Sequence, residues 1–78
     1  MQDILNRMTP IFQDILENDD LKITADLTAE NVAGWDSLAH VNILIALERE
    51  FGIRFDVLQV GNLKNIQELA TLIETKVS

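Results

Sequence analysis

Hydrophobic side chains near the start of the chain recur every three or four residues, which places them on one face of an α-helix. These residues are Ile4, Leu5, Met8, Ile11, Phe12, Ile15 and Leu16. Pro10 lies among them and lacks the N–H that a helix interior needs, so we expect a kink or a break near residue 9. Thr9 could alternatively cap a second segment with Pro10 at its first position. The pattern predicts a helix over residues 2–17.

Residues 18–36 lack this period and are rich in Asn, Asp and Thr, which favour turns. A connection of this length in a small domain is usually functional or disordered. Hydrophobic residues within it favour an ordered loop that packs on the core: Leu21, Ile23, Leu27, Val32 and Trp35. We predict a long polar connection with a helical turn around Thr28–Val32.

From Ser37 to Phe51 the helical period returns, with Asp36 as a suitable N-cap and Gly52 as a suitable C-cap. Its hydrophobic residues cover more than one stripe: Leu38, Val41, Ile43, Leu44, Ile45, Leu47 and Phe51. A helix that is apolar on several sides, in a chain this small, indicates that one side contacts a partner.

The remainder of the chain begins irregularly, and a short helix is predicted over Asp56–Val60 before Gly61. Asn65 and Glu68 then resemble a capping box at the start of a last helix. One face of that helix is apolar: Ile66, Leu69, Ala70, Ile73 and Val77. No segment alternates convincingly enough to be a strand. The sequence predicts an all-α fold, a small up-and-down bundle of three main helices plus one short helix, with a long first loop.

Composition restricts the function. The 78 residues are 47% hydrophobic, and we expect one domain over residues 1–78, too small to enclose a deep, dry pocket easily. The absence of cysteine excludes a disulfide, a thiolate nucleophile and a cysteine zinc site. A single histidine argues against a multi-histidine metal site, so no metal is expected.

The chain is acidic, with a formal net charge of −7. Six acids from Glu17 to Asp36, against Lys22 alone, supply −5 of that charge. We expect no binding to nucleic acid or anionic membranes, which would repel the chain, and basic protein partners instead. The longest apolar run, Ile43–Leu47, is too short to span a bilayer, and no apolar signal core is present. These features predict a cytoplasmic protein.

The segment Gly34–Leu38 delivers Ser37 to the first turn of an apolar helix. Unpaired N–H groups and the helix dipole favour an anion on or beside that hydroxyl. Asp36 would oppose free phosphate but could help a basic modifying enzyme to dock. From these residues alone, capping by Ser37 is the simpler explanation, because serine is among the commonest caps.

The stretch from Gly34 to Phe55, GWDSLAHVNILIALEREFGIRF, resembles the second-helix signature of acyl and peptidyl carrier proteins. The resemblance extends to the chain length, the apolar first helix, the acidic loop and the short third helix. It implies 4′-phosphopantetheine attached covalently to Ser37, whose thiol carries an acyl, aminoacyl or polyketide intermediate as a thioester. The resemblance therefore implies a monomeric carrier that presents cargo to enzymes and is not itself an enzyme.

The same resemblance implies partners and a recognition surface. A phosphopantetheinyl transferase would read Asp36 and Leu38, and Glu48 would supply a negative rim. An acyl- or aminoacyl-loading ligase and downstream synthases or transferases would then use the loaded arm. Val41 and Ile45 follow Ser37 on the same side of the helix and could form an apolar patch, with core packing as the equal alternative.

The chain departs from the usual fatty-acid carrier in its second helix. Ala39 and Asn42 occupy places that are acidic in such carriers, and Arg49 interrupts the later acidic cluster. Residues 37–51 carry a net charge of only −1, which weakens electrostatic docking there. With the context of Trp35 and His40, this departure makes the chain more similar to specialised free-standing carriers than to the housekeeping fatty-acid carrier.

Two other functions compete with the carrier. Asp36, Ser37 and His40 could be taken for a hydrolase triad, but Asp36 adjoins Ser37 and the Gly-x-Ser-x-Gly elbow is missing. An unmodified acidic helical interaction module is the stronger alternative.

We expect His40 to be half-exposed on its helix, or to contact the phosphate of the arm, and Trp35 to anchor the loop.

Overall fold

A computed structural model describes residues 2–56 and 60–77. These residues form three helices, α1 (Gln2–Ile15), α2 (Ser37–Phe51) and α3 (Ile66–Val77), and contain no strand. The predicted all-α class is confirmed. The predicted short helix over Asp56–Val60 includes residues 57–59, which lie outside the described residues. Its two ends are joined, because the Val60 N–H donates to the Asp56 carbonyl at 2.9 Å.

Helix α1 runs without a break, so the predicted interruption near residue 9 is wrong. Thr9 caps no second segment; its hydroxyl donates to the Leu5 carbonyl at 2.9 Å. Pro10 is exposed, whereas Met8 and Phe12 on either side of it are fully buried. An interior proline costs about 3 kcal/mol, and burial of each large side chain returns about 1.5–3 kcal/mol. Tertiary packing therefore keeps the helix continuous through Pro10.

Helix α2 has the predicted bounds and both predicted caps. The Asp36 carboxylate accepts the Ala39 N–H at 2.9 Å. Gly52 adopts a left-handed conformation with φ 65°, which glycine allows without steric cost, and its N–H donates to the Glu48 carbonyl. Local signals at the two ends are therefore sufficient to define this helix.

The core lies among the three helices, and α1 packs against both α2 and α3. At the surface, Arg7 of α1 pairs with the Glu50 carboxylate at 3.0 Å and stacks over the Phe51 ring. The first loop (residues 16–36) contributes Ile23, Val32 and Trp35 to the core, which confirms that it is ordered and packed.

The helical turn predicted around Thr28–Val32 is instead a hydrogen-bonded turn. The Asn31 N–H donates to the Thr28 carbonyl at 2.9 Å, and the Asn31 side chain accepts from the Thr28 N–H and hydroxyl. These side-chain bonds compete with a helix, as asparagine and threonine commonly do in turns.

The name second loop is used for the described residues 52–56 and 60–65 of the connection that leads into α3. As predicted, Asn65 caps that helix, since its side-chain oxygen accepts the Glu68 N–H at 2.8 Å. Ile66 through Ile73 supply the buried face, whereas Val77 is 48% exposed, so the predicted apolar face ends one turn earlier. The structure therefore confirms α3 and shortens its packed face.

A two-residue antiparallel bridge between Thr28 and Asn65 joins the two loops. The Ala29 N–H donates to the Lys64 carbonyl, and the Ile66 N–H donates to the Leu27 carbonyl, each at 2.9 Å. The entry to α3 is thereby fixed against the first loop.

Candidate functional site

Ser37 is the first residue of α2, and it is exposed. Capping is done by Asp36, whose carboxylate accepts the Ala39 N–H and whose carbonyl accepts the His40 N–H at 2.9 Å. The interpretation of Ser37 as the capping residue is therefore wrong. Its Oγ lies 3.5 Å from Lys64 Nζ, at the limit of a hydrogen bond. The serine oxygen is thus available for reaction at the positive end of a helix dipole.

A buried hydrogen-bond chain fixes the backbone around Ser37. The indole N–H of Trp35 donates to Nδ1 of His40 at 3.1 Å. Because an indole can only donate, Nδ1 accepts and Nε2 carries the ring hydrogen. That nitrogen lies 3.0 Å from the Val60 carbonyl and donates to it. The chain links the first loop, α2 and the second loop, and Ser37 lies between its first two members in sequence.

The same contacts correct the expectations for His40. It is 2% exposed, so it is neither half-exposed nor able to contact a phosphate at the surface. With both ring nitrogens hydrogen-bonded inside the protein, it cannot accept the Ser37 proton, and the hydrolase triad is excluded. The expected exposure of His40 was wrong because its burial depends on contacts with residues that are distant in the sequence.

Trp35 anchors the first loop, as predicted. It is 4% exposed, and its ring packs edge-on against Phe12 with centroids 5.1 Å apart. Gly34, at φ 87°, makes the turn that directs the tryptophan inward, and the Asp36 N–H closes that turn on the Gly34 carbonyl at 2.9 Å. Burial of the indole leaves it unable to contact a surface ligand.

An exposed apolar ridge, formed by Leu38, Val41 and Ile45, follows Ser37 along α2. These side chains are 72%, 50% and 44% exposed, whereas Ile43 and Leu47 of the same helix are fully buried. Core packing of Val41 and Ile45, one of the two alternatives, is therefore wrong. Ile45 also lines two open grooves of about 430 Å³ and 480 Å³. The ridge is free for contact, and its role in recognition remains a prediction.

Glu48 has a structural contact that the sequence did not suggest. One carboxylate oxygen accepts the Phe55 N–H at 2.8 Å and holds the second loop against the end of α2. The residue is partly buried and shares the second groove with Arg49 and Arg54. A negative rim at this position is therefore flanked by two cations.

Lys64 is the site residue that sequence reasoning missed. It lies 27 positions from Ser37, and the bridge between the two loops brings its ammonium beside the serine. No local pattern marks it, because the contact depends on pairing of Thr28 with Asn65. The hydroxyl of Ser37 thus has the Lys64 ammonium 3.5 Å away, and the residue before it in the chain is the acidic cap Asp36.

The described residues contain no group of three or more acidic, histidine or cysteine side chains that could hold a metal ion. Among the described helices, none combines the length and apolar character needed to cross a bilayer. The site as described consists of the exposed Ser37, with the Lys64 ammonium 3.5 Å from its hydroxyl oxygen and an apolar ridge beside it.

This chain is similar to known proteins over most of its length. The family described as "Phosphopantetheine attachment site" matches residues 6–73. Among curated proteins, the chain is 30% identical over 76 residues to "Acyl carrier protein" of Thermosynechococcus vestitus (strain NIES-2133 / IAM M-273 / BP-1). The similarity covers 97% of this chain and 94% of that protein. No solved structure matches significantly.

Proposed function

Because the chain belongs to the acyl carrier protein family, whose members carry covalent 4′-phosphopantetheine and are not enzymes, we propose that Ser37 bears that group. The observation that carries the proposal is the exposed Ser37 hydroxyl at the start of α2, left free because Asp36 does the capping. The residues present fit the group: a phosphodiester at this oxygen would lie at the helix N-terminus with Lys64 beside it.

Attachment requires one phosphoryl substitution. Ser37 Oγ attacks the phosphorus of coenzyme A that bears the pantetheine, and a new P–O bond forms. The bond from that phosphorus to the bridging oxygen breaks, and adenosine 3′,5′-bisphosphate leaves. His40 cannot accept the serine proton, because it is buried and hydrogen-bonded to Trp35 and Val60, so we propose that the proton acceptor comes from outside this chain.

When bound, the group supplies a thiol that carries acyl cargo as a thioester. The chain has no cysteine, so it has no thiol of its own. Its own residues supply position: the Trp35–His40–Val60 chain holds the base of α2 on the bundle, and Ser37 is offered at its surface. A tether at one fixed point raises the effective concentration of cargo at a docked enzyme.

We propose the ridge of Leu38, Val41 and Ile45 as the docking surface. Asp36 and Leu38 would be read by the transferase, since they flank Ser37. Acyl- or aminoacyl-loading ligases and downstream synthases or transferases would contact the ridge, with Glu48 at its far end. Exposure of all three apolar side chains on a helix whose opposite face is buried supports this surface.

We propose that the chain serves a specialised pathway rather than housekeeping fatty-acid synthesis, and, separately, that it is located in the cytoplasm. The support for a specialised pathway is the weak charge of α2, only −1 over residues 37–51, where Arg49 is adjacent to Glu48 and Glu50. A nearly neutral helix selects partners by apolar shape more than by charge.

The test is the intact mass of the purified chain after incubation with coenzyme A and a broad-specificity phosphopantetheinyl transferase. Wild type should gain one phosphopantetheinyl group, and Ser37→Ala should gain none. Ser78→Ala is the matched control, because Ser37 and Ser78 are the two serines of the chain, and it should be modified like wild type. No gain in wild type, with an active control carrier, would favour the unmodified interaction module.

A further inference from the structure

Lys64 is the basic residue that contacts the proposed attachment oxygen. The chain has six basic residues against thirteen acids, so a cation beside Ser37 runs against the overall charge. Its Nζ lies 3.5 Å from Ser37 Oγ. At the limit of hydrogen bonding, this contact contributes little to a neutral hydroxyl. The ammonium is thus better suited to an anion at this position than to the serine alone.

The backbone of Lys64 is held independently of that contact. Its carbonyl accepts the Ala29 N–H at 2.9 Å, and the next residue, Asn65, pairs with Thr28 and caps α3. Side-chain substitutions at position 64 leave these backbone bonds intact. The lysine therefore starts from a fixed point, and only its own rotamers need to be ordered.

Modification of Ser37 would add a negative charge at the start of α2, where a neighbouring positive charge becomes favourable. A phosphodiester adds one negative charge directly bonded to Oγ, next to the Asp36 carboxylate that caps the helix. Two negative charges on adjacent residues repel each other, and the ammonium of Lys64, 3.5 Å from Ser37 Oγ, would offset that repulsion. Charge-assisted hydrogen bonds to phosphate oxygens are also about twice as strong as neutral ones.

We propose that Lys64 pairs with the phosphodiester at Ser37 and thereby holds the base of the arm against the junction of the two loops. This inference rests on the proposed attachment at Ser37. Lys64 is a positioning residue, since it acts on the linkage and not on the cargo. The pair forms only in the modified protein, so it distinguishes the modified from the unmodified state at the surface beside the ridge.

The test is the ³¹P NMR resonance of the modified protein, in wild type and in Lys64→Gln, Lys64→Arg and Lys76→Gln. The last variant removes the same charge from the far end of α3, about 15 Å along the helix from its start beside Lys64, because a helix rises about 1.5 Å per residue. That separation exceeds the screening length of about 10 Å in 0.1 M salt. Circular dichroism confirms that each variant is folded.

We expect Lys64→Gln to move the ³¹P resonance away from that of wild type, and Lys64→Arg and Lys76→Gln to leave it close to wild type. Salt of about 1 M should move the wild-type resonance towards that of Lys64→Gln, because it screens the pair. Identical resonances in wild type and Lys64→Gln at low salt would overturn the inference. If no protein gains the group in the mass measurement, the proposed function fails instead.

Discussion

The hydrogen bond between Trp35 and His40 should be measurable as a coupling energy. Trp35→Phe removes the indole N–H and leaves Nδ1 of His40 buried without its donor. His40→Leu leaves both the indole N–H and the Val60 carbonyl without partners. The double variant removes both members of the first bond together. The edge-on contact of Trp35 with Phe12 is altered both in Trp35→Phe and in the double variant, so its contribution cancels in the double-mutant cycle.

The size of the coupling follows from burial. Trp35 and His40 are 4% and 2% exposed, so water cannot replace a lost partner. An unpaired buried group costs about 1–3 kcal/mol, whereas removal of both partners by apolar groups is nearly neutral. We therefore expect the double variant to be more stable than the sum of the single effects by about 1–3 kcal/mol. A chain of 78 residues has a free energy of unfolding of only about 4–12 kcal/mol.

The free energy of unfolding of all four proteins is measured by urea denaturation in one buffer with a stabilising osmolyte. Far-UV circular dichroism reports unfolding, because Trp35 is the only tryptophan and its fluorescence is lost in two of the proteins. Additive effects, within about 0.5 kcal/mol, would refute the bond as a source of stability. The fixed position of Ser37 would then need another cause.

Two further predictions concern α2. Asp36→Ala should lower the free energy of unfolding by about 0.5–2 kcal/mol, because it removes the cap of Ala39, whereas Asp36→Ser should retain most of it; equal losses in urea denaturation would contradict the capping role. Val41→Ser should lower the kcat/KM of modification at Ser37 several-fold with an unchanged urea midpoint, because Val41 is 50% exposed. Thr71→Ser, an exposed change on α3, is the control, and a wild-type rate for Val41→Ser would exclude this residue from docking.

Elements whose signals are local could be predicted from the sequence. Asp36 and Gly52 mark the ends of α2, and Asn65 marks the start of α3, because caps act within one turn of their own residue. The same holds for the Ser37 position, since the residue that begins a helix is given by its cap. These features needed no knowledge of the tertiary structure.

The features that were missed depend on contacts between distant residues. Pro10 does not interrupt α1, because Met8 and Phe12 are buried on either side of it. The sequence around His40 predicts a half-exposed residue, whereas its hydrogen bonds to Trp35 and Val60 hold it in the interior. Such pairings have no signature in a single sequence.

In the candidate site, too, some residues could be placed from the sequence and others depend on contacts between distant segments. Ser37 and the ridge lie on one helix, so their spacing could be read from the sequence. Lys64 lies in another loop and reaches Ser37 through the Thr28–Asn65 bridge, which no periodicity predicts. Glu48 could be placed on α2, but its bond to the Phe55 N–H required the course of the second loop.

The most direct measurement of the central proposal is the location of the phosphopantetheinyl group in the modified chain. Trypsin cuts after Lys22 and Arg49, so one peptide, residues 23–49, contains Ser37 and lacks Ser78. Tandem mass spectrometry should find the added mass in this peptide and assign it to Ser37. Assignment to any other residue, or a peptide that stays unmodified while the intact chain gains mass, would contradict the proposal.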